Sequence, residues 1–214
     1  SADLGIDRSG NNNSWTVNNM TYVDQMVDSP TNNFCTLNVV GWQWSKRSGT
    51  MSEGNLKCFT SGADWTHANG TIIIPKDKKI YFEVYGVDNK TYGGIALADE
   101  NTGAYSSGSR PDGGWIKGLI SGYADQDDSF PCFRTETDGS SLATLANSGS
   151  GFHNAVCGIA VDQANSNVKF YVNNSLVEDI TSSACFNTTS DYVPIFAGYS
   201  SGQQVMNFGQ DSSF

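Results

Sequence analysis

The stretch Asn154–Phe214 constrains the fold most. It reads NAVCGIAVDQANSNVKFYVNNSLVEDI, then a Ser/Thr-rich spacer, then YVPIFAGYSSGQQVMNFGQDSSF. Apolar runs of strand length alternate with Asn, Gly and Ser, the residues that turn a chain. Val156–Val161 and Val168–Val172 are predicted strands, and Asp162–Asn167 between them is long enough for a hairpin. A third strand ends at Ala197. A fourth, Gln204–Phe208, follows the turn Ser200-Ser201-Gly202. Val168, Phe170 and Val172 alternate with Lys169, Tyr171 and Asn173, which puts the apolar set on a core and the polar set toward solvent or a partner. Phe208 is expected to close the core of the last strand, and Gly202 to enable the turn before it.

The same grammar runs upstream. Ile80, Phe82 and Val84 alternate with Tyr81, Glu83 and Tyr85, the period of a half-buried strand. Thr71-Ile-Ile-Ile-Pro and Tyr92-Gly-Gly-Ile-Ala-Leu flank that run, and Trp115-Ile-Lys-Gly-Leu-Ile is a further strand candidate. Within the polar, Asn-rich first 60 residues only Trp15-Thr-Val and Phe34-Cys-Thr-Leu read as short strands. A chain of 214 residues with 38% hydrophobic residues and 23 glycines suits one all-β domain with many turns. The chain opens on Ser1-Ala-Asp, which fits a processed piece of a longer polypeptide.

Charge narrows the partners. A net charge of −10 repels phosphate backbones and anionic membrane surfaces. No apolar run approaches the roughly 18 residues of a membrane span. Neither nucleic acid nor membrane insertion is expected.

Catalytic constellations are sparse. The five cysteines (Cys35, Cys58, Cys132, Cys157, Cys185) form no C-x-x-C pair, and two histidines give no zinc spacing. Cys157, among Val156 and Ile159, reads as a small buried hydrophobe. His67 and His153 lie near no Gly-x-Ser-x-Gly elbow and read as structural residues. Glu136-Thr-Asp138-Gly-Ser-Ser141 begins a glycosidase pattern, Glu-x-Asp-x-x-Glu, and lacks its last carboxylate. Asp138-Gly139 reads instead as a turn. Asp125, Asp127 and Asp128 are closely spaced carboxylates of the kind that suit Ca²⁺, or simply a solvated acidic loop. No other cofactor is expected.

Aromatics are the better lead. Trp42, Trp44, Trp65, Tyr105, Trp115 and Tyr123 sit among Gly and Ser, with Asn101, Arg110 and Asp112 nearby. An exposed indole or phenol stacks on the apolar face of a sugar or anchors a protein partner, whereas a buried one fills a core.

Two orders of residues together resemble a family. "Ile-Tyr-Phe-Glu-Val, loop, Gly-Gly-Ile-Ala" resembles the first half of an SPRY domain. "Gly-Ile-Ala-Val-Asp, turn, Lys-Phe-Tyr-Val-Asn, spacer, Val-Pro-Ile-Phe, Ser-Gly-Gln, Asn-Phe-Gly" resembles the second half. The two cover about residues 70–210. The pieces around 9–19, 28–38 and 52–57 resemble a segment that precedes SPRY-like domains in tailed-phage virion proteins.

The resemblance implies a two-sheet antiparallel β-sandwich of the SPRY/concanavalin A-like jelly-roll kind over 61–214, with a long loop insert at 99–153. Residues 1–60 would pack on the sandwich as an extension. It implies a non-enzymatic recognition module whose loops, at one edge, carry the binding surface. The expected setting is a virion surface protein, a tail fibre or appendage, that binds a host surface glycan or protein. Other virion proteins, and a homo-oligomer or larger assembly, would be its further partners. A purely structural virion, fibre or capsid-decorating role, and a concanavalin A-like glycosidase, are the alternatives. The glycosidase requires two carboxylates opposed across a cleft.

Overall fold

A computed structural model describes residues 4–21, 33–39, 49–61, 66–87, 90–98, 119–124, 133–137, 140–144, 152–181, 186 and 191–211, those of 123–124, 133–137 and 140–144 as backbone. Thirteen strands run through these residues: β1 Gly49–Ser52, β2 Lys57–Thr60, β3 Thr66–Asn69, β4 Lys79–Gly86, β5 Thr91–Leu97, β6 Ile120–Ala124, β7 Phe133–Thr137, β8 Ser140–Thr144, β9 Val156–Asp162, β10 Asn167–Val172, β11 Ser175–Thr181, β12 Tyr192–Gly198 and β13 Gln203–Asn207. They form two sheets, one of seven strands ordered β1-β2-β13-β4-β9-β10-β11 and one of six ordered β3-β12-β5-β6-β7-β8. Every strand pairing is antiparallel. The expected two-sheet antiparallel sandwich is the architecture observed.

The main core lies between the sheets. Phe82 and Val84 of β4, Ile159 and Val161 of β9, Val168 and Phe170 of β10, and Met206 of β13 face Ile95 of β5 and Tyr192 and Phe196 of β12, all almost fully buried. Cys157 is buried among them, and desolvation pushes its thiol pKa far up, so it behaves as a small apolar side chain. Cys35, Cys58 and Cys157 are free thiols.

The two sheets differ in their outer faces, and the sequence shows it. β5 and β12 are buried along their whole length. Their outward residues Tyr92, Ala96, Ile195 and Ala197 join Leu119 in a second buried apolar cluster. Strands buried on both faces read as continuous apolar runs, as Tyr92–Leu97 and Tyr192–Gly198 do. β4 instead alternates, with Phe82 and Val84 buried and Tyr81, Glu83 and Tyr85 partly or largely exposed. The outer face of the seven-stranded sheet is therefore the open one around β4 and β9.

Several local expectations change. The last strand is Gln203–Asn207; Phe208 follows it and packs on the core, its ring 5.5 Å from that of Phe82. Ser175–Thr181, which the sequence leaves without a strand of its own, is the edge strand β11. A bulge hides it: Phe170 opposes Glu178 and Tyr171 opposes Leu176, so Val177 is an extra residue and the apolar alternation breaks. Asn173 lies past β10 in the two-residue turn to β11, with φ of 46° there and 66° at Asn174, the left-handed pair of a type I′ hairpin. In the turn to β13, positive φ falls on Ser200 and Ser201 rather than on Gly202. A Cβ on Gly202 would meet Thr91 Cγ2 at 2.8 Å and the Lys90 carbonyl oxygen at 3.1 Å, so close approach of the backbone is what requires glycine there.

Trp15-Thr-Val and Phe34-Cys-Thr-Leu form no strand. The second is pinned in place by its backbone. The Leu37 N–H donates to Asn55, the Asn38 N–H to Asn69, and the Gln210 side chain to the Cys35 carbonyl. Leu37 itself is buried in the main core. This segment thereby links the β1–β2 turn, the end of β3 and the chain after β13. β1 and β2, although they precede residue 61, are members of the seven-stranded sheet.

Candidate functional site

Most residues singled out from the sequence lie outside the described residues: Trp42, Trp44, Trp65, Asn101, Tyr105, Arg110, Asp112 and Trp115, and the carboxylates Asp125, Asp127 and Asp128. Tyr123 is placed as backbone in β6, opposite Tyr92 of β5. His67 is in β3 and only 6% exposed, and desolvation lowers its pKa to about 4. Its Nδ1 has no hydrogen-bond partner among the described residues. A neutral imidazole packed opposite Ala197 is a structural residue, as expected. His153 bridges Gly86 ahead of β9, which starts at Val156. Among the described residues no group of three or more His, Cys, Asp or Glu is arranged to hold a metal.

Two recesses meet at Tyr81. The first is apolar, about 120 Å³, at the end of the sandwich where 70–78 crosses from β3 to β4. Phe34, Ile73, Pro75, Tyr81, Pro194 and Phe208 line it. The run Thr71-Ile-Ile-Ile-Pro forms no strand there; only Ile74 bridges to Tyr192, while Ile72 and Ile73 are 41% and 50% exposed. β5 ends and β6 begins at this same end, Leu97 opposing Tyr192 and Ile120 opposing Ile95. The chain therefore leaves β5 and enters β6 at this end; the stretch 99–153, expected as one long loop insert, also contains the strands β6, β7 and β8 of the six-stranded sheet.

The second recess, about 210 Å³, is a trough on the open face of the seven-stranded sheet, lined by Lys79, Tyr81, Ala160, Asp162, Asn167 and Lys169. Its floor is Ala160 of β9, the small residue opposite Tyr81. The Tyr81 ring leans across Gly158, where a Cβ would lie 2.9 Å from Cε2 and 3.0 Å from Cζ. The Tyr81 hydroxyl donates to Glu83 Oε1 at 2.9 Å, and Asn207 Nδ2 donates to Glu83 Oε2 at 3.2 Å. Asn207 is itself held by the backbone of Gly209 and Asp211. Partial burial, then the Glu83 hydrogen bond, push the Tyr81 phenol up to about 12, so it stays a donor at neutral pH.

The charges around the trough are closed into pairs. Lys79 Nζ lies 3.2 Å from Asp162 Oδ2, and Lys169 Nζ 2.8 Å from Asp179 Oδ2. Asn165 hydrogen bonds and then Lys79 lower the Asp162 pKa; Lys169 and then Asn167 lower that of Asp179. Sequence reading put Lys169 and Tyr171 on the outer face but did not single out Tyr81. The available signal was Gly158, a glycine inside a strand, which marks close approach by another group.

No family model matches the sequence, and no curated protein matches it. Solved structures do match the fold. The TRIM65 PSpry domain superposes with a TM-score of 0.58 at 13% identity over 84% of this chain and 90% of that one. The fold is SPRY-like. The SPRY domain of human HERC1 gives a TM-score of 0.50 at 11% identity, covering 73% of this chain and 90% of its own. Stonustoxin gives 0.56 at 13% identity, covering 91% of this chain and 31% of the toxin.

Proposed function

We propose that the chain is a non-catalytic recognition module of a virion surface protein, a tail fibre or appendage, which binds a glycan receptor on the host surface. The observation that carries the reading is the exposed apolar rim of Ile72, Ile73 and Tyr81, at the end of the sandwich from which the insert leaves. Contiguous apolar surface of that kind marks an interaction site more often than an idle one. Tyr105 and Trp115 belong to the stretch between β5 and β6, two strands that respectively end and begin at this end of the sandwich. The Asn-rich segment before β1, with its likeness to phage virion proteins, supports the setting. The test is binding of the full chain to an array of bacterial surface glycans, with adsorption to host cells in parallel. Binding that falls on Trp115→Ala or Tyr105→Ala with the melting temperature retained supports the reading; no retention of any glycan by a multivalent display of the chain sinks it.

A second reading, a purely structural virion or fibre protein, draws on the N-terminal arm. Asp7 closes its loop by accepting from the Ser9 and Asn13 N–H groups, and Trp15 N–H donates to Gly5. Trp15, Ile6 and Met20 are 81%, 55% and 53% exposed. Exposed apolar side chains on an otherwise polar arm suit a contact with a neighbouring subunit. Sedimentation of the full chain beside a Trp15→Ser variant separates the two readings: a loss of oligomer on substitution favours assembly.

A further inference from the structure

We infer that the trough beside Tyr81 is a subsite for one neutral pyranose ring. The inference rests on the glycan reading above and moves the contact from the loops to the open sheet face. Four observations carry it. Tyr81 is half exposed yet held in one orientation, by Gly158 beneath it and Glu83 at its hydroxyl. A fixed aromatic wall is what the apolar face of a sugar stacks against, at little ordering cost. The floor beside the Tyr81 ring is Ala160, a side chain of one methyl, which leaves room above the sheet. The recess of about 210 Å³ is open and small, about the volume of seven liquid waters.

The remaining observation concerns charge. Each lysine at the trough is paired with a carboxylate, and each carboxylate accepts an amide hydrogen bond as well. Among the described residues, each ammonium and each carboxylate at the trough already has a partner of opposite charge, which weakens its pull on a charged ligand. The net charge of −10 further disfavours acidic ligands at long range. What the lysines and amides can still do is exchange hydrogen bonds with hydroxyl groups, which have both donors and acceptors. A peptide seeking main-chain pairing gains nothing here, because sheet hydrogen bonds lie in the plane of the sheet and only an edge offers them.

The test uses the full chain and ligand-observed NMR with methyl α-glucopyranoside, methyl α-mannopyranoside and methyl β-galactopyranoside at millimolar concentration. N-acetylneuraminic acid is the acidic comparator. At least one neutral glycoside is expected to bind. Tyr81→Ala and Ala160→Leu, the latter filling the floor, are each expected to weaken it by about tenfold or more. Tyr81→Phe, which keeps the ring, is expected to stay within a few-fold. Unchanged melting temperatures show that the variants fold. Binding that survives both Tyr81→Ala and Ala160→Leu overturns the subsite and leaves the glycan reading standing. A preference for the acidic sugar overturns the subsite as a neutral one. Failure of every neutral glycoside here and of every glycan on the array overturns both.

Discussion

The ring of Tyr81 in β4 occupies the space that a side chain on Gly158 of β9 would need. The clash falls on the far end of an exposed side chain, not on backbone. Gly158→Ala should therefore fold, with stability changed by no more than about 1 kcal/mol, the scale of the Tyr81–Glu83 hydrogen bond it disturbs. The Tyr81 ring should be displaced, read as changed aromatic chemical shifts. A loss of several kcal/mol in urea denaturation would mean that Gly158 serves the core instead.

Gly202 should behave in the opposite way. A Cβ there meets the Thr91 side chain of β5 and the backbone carbonyl oxygens of Lys90, just before β5, and Tyr199, in the turn. Gly202→Ala is expected to cost about 1–3 kcal/mol through overpacking. Ser201→Gly, at a φ of 71°, should be neutral or stabilising, since glycine adopts that conformation without strain. Chemical denaturation of the two variants checks the pair. Equal effects would contradict the assignment of the turn's strain to the serines.

His67 sets a pH dependence. Folded, its pKa is about 4 because burial disfavours the imidazolium; unfolded, it returns to about 6.5. Above the unfolded value neither state binds the proton, and the full stability is present. As pH falls from about 6.5 to about 4 only the unfolded chain takes up the proton, so stability is lost through that window. The loss approaches about 3 kcal/mol and is complete below the folded pKa. His67→Leu should flatten the profile there, with little cost at pH 7, since it also removes an Nδ1 that has no partner among the described residues. An identical slope in wild type and variant would refute the assignment.

The hairpin joining β10 to β11 offers a stabilising change. Asn174 sits at φ 66°, in the second position of a type I′ turn. Asn174→Gly, giving the favoured Asn-Gly pair, should raise the melting temperature slightly without moving any side-chain contact. A fall would indicate that the Asn174 side chain is itself engaged.

How much of this was legible in the sequence follows from how local each signal is. Alternation in β4 and in Val168–Val172 announced strands with one buried face, because period two is a property of the chain itself. β11 was hidden by a bulge that depends on its partner β10. The glycine at 202 was legible as important, but its reason was not: crowding by Thr91 comes from a strand more than a hundred residues away. The trough at Tyr81 was half legible. The polar faces of β4 and β10 could be read from sequence. That the seven-stranded sheet keeps its outer face open around them, while β5 and β12 are buried on both sides, is a tertiary fact. The aromatic residues of 99–118 and the tryptophans at 42, 44 and 65 lie outside the described residues, so their part in the surface rests on binding experiments.

The most direct test is backbone NMR mapping of the full chain, titrated with the tightest neutral glycan found on the array. The account predicts saturable shifts centred on Lys79–Glu83, Gly158–Asp162 and Asn167–Tyr171, together with residues of the 99–118 insert. Saturable shifts confined to other surfaces, or no saturable binding by any glycan, would contradict it.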